Sequence, residues 1–453
     1  VPGFVSDGHD FAGKAAEAGA AALVVERDVP VSLPKLFVKD ARHAIAVIAC
    51  HYYGYPSREL KLIGVTGTNG KTTSAMIIEH ILRNQGFGTG LMGTIGTKIG
   101  GEWLDAERTT QEASELQHNL RRMKDAGADY CVMEVSSHAL ELGRVKGCRF
   151  RTAVFTNLTQ DHLDFHETMD RYRAAKGLFF SRLGNEFSGD PDEAKFAVLN
   201  ADDEASEYFA GLTSAHIIRY GLGENADVRA HHIRLSPEGT RFTVSAFGEE
   251  ADVAMRLVGK FNVYNALGAI ASTLAERIPL QAIANSLENV SVVPGRMETV
   301  EGGDFLTVVD YAHTPDGLEN ALASIREFCQ GRLITVFGCG GDRDRTKRPL
   351  MGRIAASYSD YTIVTSDNPR SEQPEAIMNE IEPGIAAAGA GTDRYEMIAD
   401  RRQAIYKAIE MASRGDVVLI AGKGHETYQI IGGVKHHFDD RAVAREAIRS
   451  KSK

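Results

Sequence analysis

Gly64-Val65-Thr66-Gly67-Thr68-Asn69-Gly70-Lys71-Thr72-Thr73 follows the apolar run Leu60-Lys61-Leu62-Ile63 and opens a helical pattern from Ser74 to Arg83. Strand, glycine-rich bend and helix in that order make a phosphate cradle: the bend turns successive backbone N–H groups inward, and the helix adds its positive end. Gly67, Thr68, Asn69 and Gly70 would wrap the phosphates, with Thr73 in the first helical turn. Lys71 would neutralise the β and γ phosphates while the Thr72 hydroxyl ligates Mg²⁺. The expected ligand is therefore ATP with Mg²⁺, and the expected platform is a parallel α/β sheet.

The alternation continues outward. Short strand-like runs at 130–135, 152–156 and 196–200 are separated by helical patterns, which predicts a parallel sheet with helices on both faces. After a joint at Val293-Pro294-Gly295-Arg296 it restarts with runs at 305–310, 333–337, 362–365 and 417–420, a second doubly wound unit. A turn-rich joint, Tyr55-Pro56-Ser57-Arg58-Glu59, sets off a small leading portion. At roughly 150 residues per domain the 453 residues make about three. The expected division is a small N-terminal α/β domain over 1–60, a central P-loop ATPase-like domain over 61–295 and a C-terminal Rossmann-like domain over 296–453. Hinges are expected near residues 60 and 295. The start at Val1-Pro2-Gly3, without a Met, reaches the strand-like Ala21-Ala22-Leu23-Val24-Val25 so soon that upstream residues are expected to be missing.

Apolar content of 43% and charged content of 25% suit a soluble globular chain, and no apolar run approaches the roughly 18 residues needed to span a bilayer. With 51 basic against 61 acidic side chains the net charge is −10, which argues against nonspecific nucleic-acid binding. Five scattered Cys without C-x-x-C spacing read as free thiols in a reducing compartment. A cytoplasmic monomer that engages neither membrane nor nucleic acid is expected.

Further polar clusters follow the strand-like runs. Glu134-Val135-Ser136-Ser137-His138 places a carboxylate where it can hold Mg²⁺ opposite Thr72, although an exposed strand-end acid is an equally plain reading. Thr156-Asn157-Leu158-Thr159-Gln160-Asp161-His162 brings His and Asp together without Cys, which suits an ion with oxygen-rich coordination and makes His162 a candidate ligand. In the last third, Gly338–Pro349, Ser366-Asp367-Asn368-Pro369-Arg370 and Ala421-Gly422-Lys423-Gly424-His425-Glu426 each follow a strand and should converge on one cleft. Arg343 and Arg370 could grip a carboxylate there, and Glu426 an ammonium. Residues 171–180 read as an amphipathic helix with a solvated Lys176.

The segment 67–73, taken with these downstream motifs, resembles the Mur ligase family, and the likeness runs from about residue 1 to 441. It implies an ATP-dependent amide ligase of peptidoglycan synthesis that works through an acyl phosphate. Lys71, His162 and Lys176 would be catalytic. Lys176, in Tyr172-x-x-x-Lys176-x-x-x-Phe180, would carry a carbamate and share the metal sites with Thr72, Glu134 and His162. Asn262, Asn265, Arg296, Asp310 and His313 match nucleotide-contacting positions, although Asn262 also reads as a helix cap. Thr109, Thr110, Ser136 and Arg144 match contacts to a UDP-muramoyl dipeptide, with Gln111 and Leu142 departing from the pattern; Ser6–Phe11 resembles the uridine-side segment. Asp367, Asn368, Pro369 and Arg370, with Gly422 and Glu426, resemble the motif that selects meso-diaminopimelate.

The implied substrates are thus UDP-N-acetylmuramoyl-L-Ala-D-Glu and meso-diaminopimelate. A lysine-adding relative, a ligase like the folylpolyglutamate synthases and an ATP-gated switch without ligase chemistry are the alternatives.

Overall fold

The strand Lys61–Thr66 lies in the middle of an eleven-stranded sheet, between Tyr130–Glu134 and Phe150–Phe155, with Val65 level with Glu134 and Val154. All but the first of its residues are buried, as expected of a parallel strand covered on both faces. The computed structural model describes residues 1–3, 6–186, 188–236, 238–290 and 293–451. Parallel pairing extends through Thr89–Met92 on one side and through Phe196–Asn200, His216–Gly221 and the start of Val228–Ser236 on the other.

The expectation of a wholly parallel sheet holds for this middle and fails at both edges. Thr97–Ile99 and Glu102–Leu104 extend one side antiparallel, and Gly239–Ala246 and Glu249–Met255 the other. The reason is visible in the side chains. Phe242, Val244, Val253 and Met255 alternate with more exposed residues and pack with Ile283 and Leu287 of the helix Leu280–Leu287, a one-sided burial that an antiparallel meander supports.

A second, six-stranded sheet runs Glu298–Val300, Leu306–Asp310, Val417–Ala421, Leu333–Phe337, Tyr361–Val364, Tyr395–Met397, antiparallel only in its first pair. The four inner strands are those expected; the two short outer ones lack a strong apolar signature. Separate apolar clusters fill its two faces. At the start of the chain Leu23–Val25 pairs in parallel with Lys35–Phe37 beside the helix Ala41–Tyr52. Among the described residues no helix is long and apolar enough to cross a membrane. In both large sheets the loops at the carboxyl ends of parallel strands carry the polar clusters, the position where α/β folds bind ligands.

Candidate active site

Gly67 (φ 147°) and Gly70 (φ 83°) give the loop after Lys61–Thr66 its shape. A β-carbon on Gly67 would stand 1.9 Å from Thr156 Oγ1, and one on Gly70 2.2 Å from Asn265 Oδ1. The loop is held from the next strand end, where the Asn69 N–H donates to Asn157 Oδ1 at 2.8 Å and Thr156 Oγ1 donates to the Asn69 carbonyl at 2.6 Å. Gly70 caps the helix Lys71–Asn84 without any side-chain bond, so the first-turn N–H groups are not capped by a side chain. Thr68 is turned inward: its hydroxyl donates to the Thr159 carbonyl and accepts from the Thr159 N–H.

Two lysines meet on one oxygen. Lys71 Nζ donates to the Gly67 carbonyl at 3.1 Å and to the Thr68 carbonyl at 2.8 Å, and Lys176 Nζ donates to the same Gly67 carbonyl at 2.8 Å. Lys176 is 1% exposed, which corrects the reading of a solvated helix face. Burial, then the charge of Lys71, pulls its amine well below the ordinary lysine range. Burial likewise lowers Lys71.

Glu134 is buried, not an exposed strand end; its Oε1 accepts from the Thr94 N–H at 2.7 Å and its Oε2 from the Thr94 hydroxyl at 3.1 Å. Thr72 and Glu134 line one small hollow beside Gly93. His162 (φ 56°) faces Asp161, with Nε2–Oδ2 at 3.3 Å, and lies against Tyr172, over whose ring Lys176 Nζ sits. Thr72 and Glu134 thus form one pair, while His162 and Lys176 both lie against the Tyr172 ring. No group of three or more His, Cys, Asp or Glu able to hold a metal exists among the described residues. One hydroxyl and one carboxylate nonetheless fit Mg²⁺, which is commonly held by one or two carboxylates together with phosphate oxygens.

Beside Glu134, Thr110 Oγ1 donates to the Glu134 carbonyl at 2.9 Å and approaches Ser136 Oγ at 3.3 Å, while Arg144 Nη1 donates to the Thr110 carbonyl at 3.2 Å. Thr109 Oγ1 is 3.1 Å from Thr94 Oγ1. The four expected residues are brought together, but Thr110 is fully engaged in building the site, and Arg144 is ion-paired with Glu112 at 2.9 Å. Gln111, the departure from the pattern, donates to Thr97 Oγ1 at 2.8 Å within the core.

A cavity of about 330 Å³ opens between the phosphate loop and the second sheet, lined by Asn69, Gly70, Tyr220, Phe261, Asn265 and Arg296 among others. Two of the expected residues, Asn262 and His313, do not line this cavity, and a third, Asp310, lines it while also holding the neighbouring backbone. Asn262 is buried behind the cavity, donating to the Val258 carbonyl at 2.8 Å and accepting from Asn265 at 3.0 Å; nor is it a cap, since Gly259 occupies that position. Both oxygens of Asp310 are used by the N–H groups of Met297 and Ala312, so this carboxylate shapes the turn bearing Arg296. His313 is turned back onto the Tyr311 carbonyl at 2.7 Å, and Tyr311 and Ala312 line the cavity in its place.

Burial lowers His313 and His425, which flank the Tyr311 ring, to about 4 and about 3 from 6.5. Between those values and 6.5 the unfolded chain binds more protons than the folded one. Stability is therefore expected to be complete above pH 6.5 and to fall as the pH drops toward 4. Melting temperatures measured across that range should decline more gently in the His313→Asn/His425→Gln variant.

In the second sheet the three loops meet. Arg370 (φ 53°) is fixed by its N–H to the Ile430 carbonyl at 3.0 Å and by Nη1 to the Gly341 carbonyl at 2.7 Å. A β-carbon on Gly340 would lie 2.9 Å from Arg370 Nη1 and 3.8 Å from Arg343 Cγ, so both arginines border the same space. Asn368 Nδ2 donates to Glu426 Oε2 at 2.8 Å. Asp367 Oδ2 is buried without a partner, and Gly422 leaves it room. The Pro369 carbonyl crowds Gly341, where a β-carbon would be 1.9 Å away.

Sequence reasoning gave no role to Lys423, which is fully buried and donates to Asn368 Oδ1 at 3.1 Å and Glu426 Oε2 at 2.9 Å. It also missed Arg401, which is paired with Asp440 at 2.7 Å and donates to the carbonyls of Ser366 and Ala421, the residues that lead into two of these loops. Removing one partner of such a buried pair strands the other charge. Arg401→Met is expected to lower the unfolding free energy by about 3 kcal/mol in urea titrations.

The two halves are clasped. Asn69 Nδ2 donates to Asp316 Oδ2 at 2.7 Å, Arg296 Nη2 to Thr72 Oγ1 at 3.3 Å, and Lys347 stands 3.8 Å from Asp161. After burial itself, the charge of Arg144 is the next cause that lowers His138, to about 4, and Arg343 acts in the same sense.

The chain matches the family model described as Mur ligase middle domain over residues 65–273 and that described as Mur ligase, glutamate ligase domain over 295–424. It is 53% identical over 452 residues to the UDP-N-acetylmuramoyl-L-alanyl-D-glutamate–2,6-diaminopimelate ligase of Geobacillus thermodenitrificans, covering 100% of this chain and 91% of the relative. A solved structure of a ligase of that same name superposes with a TM-score of 0.67 at 36% identity, over 98% of this chain and 90% of the other. A folylpolyglutamate synthase from Mycobacterium tuberculosis shares the fold at 18% identity, with a TM-score of 0.69 over 84% of this chain and 92% of that one.

Proposed function

The chain belongs to the Mur ligase family, and from that premise we propose that it joins meso-diaminopimelate to the D-glutamyl carboxylate of UDP-N-acetylmuramoyl-L-Ala-D-Glu at the expense of ATP, in peptidoglycan synthesis. One observation carries this reading: the phosphate-loop side, joined to the Arg144 cluster through the bond from Thr110 to the Glu134 carbonyl, is tied to the second sheet by Asn69–Asp316, Arg296–Thr72 and Gln160–Thr346, the last in the loop that also bears Arg343. A ligase must bring an acyl phosphate and an amine to the same point; a nucleotide switch needs no second pocket.

The loop N–H groups and Lys71 hold the terminal phosphates of ATP, and Arg144 anchors the acidic dipeptide. The dipeptide carboxylate attacks the γ-phosphate in line, giving an acyl phosphate and ADP. The amine held by the second pocket then attacks the acyl carbon, and the tetrahedral intermediate collapses to the amide with loss of phosphate. Arg343 and Arg370 orient the amino acid through a carboxylate and Glu426 through an ammonium. Mg²⁺ at Thr72 and Glu134 supplies charge neutralisation when bound. The shared Gly67 carbonyl supports carbamylation of Lys176: an amine lowered this far is a nucleophile for CO₂, and the resulting anion replaces a repulsive lysine pair by an attractive one. A three-part division at about residues 60 and 295, with closure of the last part onto the phosphate loop, completes the proposal.

Phosphate release measured with each substrate omitted in turn tests it. Release is expected only with ATP, the UDP dipeptide and diaminopimelate together, and lysine is expected to support less than about 1% of that rate. Release from ATP alone at the full rate would favour the switch, and equal rates with lysine would remove the selectivity.

A further inference from the structure

Away from the seam, a cavity of about 390 Å³ lies where the helix Ala41–Tyr52 meets the body of the first large sheet, closed by residues 145–150 and 182–186. Its floor is apolar, with Leu140, Phe179 and Leu183. Its walls are basic: Arg58, Lys146, Arg149, Arg182 and Lys195 face a single acid, Glu186. Three of the five cations are occupied. Arg149 is paired with Glu186 and Glu193, Lys146 with Asp40 at 3.5 Å, and Arg58 lies over the Tyr55 ring. Arg182 and Lys195 have no ion-pair or hydrogen-bond partner among the described residues. Lys195 is half-buried, and its amine is lowered by burial and then by the neighbouring Arg149 and Arg151, against the smaller opposite pull of Glu186 and Glu193. In a chain whose net charge is −10, five cations against one acid along an apolar floor, two of them without an ion-pair partner among the described residues, are not a feature of the general surface.

We propose that this cavity is a binding site for an amphipathic anion, a small molecule with a phosphate or carboxylate head and an apolar body. The head group would lie between Arg182 and Lys195, relieving the repulsion that Lys195 meets from Arg149. The body would cover Phe179 and Leu183, and the volume is that of ordinary small-molecule pockets. The site is separate from the substrate clusters: none of Thr109, Thr110, Ser136 or Arg144 lines it. Lys146, two residues beyond Arg144, and the helix whose Arg42 pairs with Glu112 at 3.7 Å nevertheless border both. Occupancy would thus fasten the leading helix to the sheet that carries the acyl anchor.

The test uses n-octyl phosphate as the probe, below its micelle concentration, in calorimetric titrations of the full chain. Neutral n-octyl glucoside and inorganic phosphate serve as comparison probes. One-site binding of octyl phosphate is expected, at least about tenfold weaker in Arg182→Glu/Lys195→Glu and at least about tenfold weaker for either comparison probe. Both substituted side chains lie at the surface or half-buried, so the variant is expected to fold, which its melting temperature and unaltered ligation rate verify. Three results overturn the proposal: no binding to the wild-type chain, equal binding to the variant, or inorganic phosphate binding as tightly as the amphiphile.

Discussion

Lys71→Met is expected to lower the ligation rate about a thousandfold while leaving the protein folded. The phosphate loop offers N–H donors from its backbone, and Lys71 is the side-chain cation placed among them, its Nζ within hydrogen-bonding distance of the Gly67 and Thr68 carbonyls. Those contacts keep the ammonium at the mouth of the cradle. Charge develops on the transferring phosphoryl group only as the reaction proceeds, and the neighbouring Arg296 is committed to the Thr72 hydroxyl and to the Tyr311 ring. Loss of the Lys71 charge should therefore fall on kcat more than on the KM for ATP. Lys71→Arg is not expected to restore the rate, because a planar fork cannot occupy the point-charge position beneath Gly67. Steady-state phosphate release with all three substrates gives the measurement, and a melting temperature within a few degrees of wild type excludes misfolding. A variant that retains a tenth of the wild-type rate would show that the backbone groups suffice.

The phosphate loop could be recognised from sequence because its demands are local: two left-handed glycines, a lysine and a hydroxyl stand within a few residues. The convergence of Arg343, Arg370 and Glu426 was also foreseeable, since three loops at the carboxyl ends of neighbouring parallel strands must share one edge. What escaped was set by tertiary burial. Lys176, which only the family resemblance singled out, and Lys423, which nothing did, look like any surface lysine in one dimension and are buried only because other elements close over them. Asn262 and Asn265 lie on the same helix face at a spacing of three, yet that face is wide enough for one amide to reach the cavity and the other to support it. Asp310 lines the cavity as expected, but a sequence does not show that two backbone N–H groups would also bond its oxygens. The antiparallel edge at 239–255 was carried by a period-two alternation weaker than the apolar runs around it.

On the proposed reading, selection of the amino acid rests on Arg370, and here the expected effect is large and directional. Arg370→Ala should reduce kcat/KM for meso-diaminopimelate by about two orders of magnitude, on the order of 3 kcal/mol, with the KM for ATP unchanged. Burial lowers the Arg370 guanidinium below its usual range and the nearby Arg343 adds to the effect, so two like charges are held together at a cost that a bound carboxylate would relieve. Diaminopimelate carries that carboxylate at its far end beside an ammonium, where Glu426 can meet it; lysine offers only an amine. The rate with lysine should therefore change little, and the preference between the two amino acids should collapse. Arg370 occupies a left-handed backbone position, held by the bridge to Ile431. Arg370→Asn, which adopts that conformation more readily than Ala, separates loss of charge from backbone strain and should show the same collapse. An equal loss of activity with both amino acids would mean that Arg370 shapes the pocket without reading the distal carboxylate, and a loss of ATP affinity would place it in the nucleotide site instead.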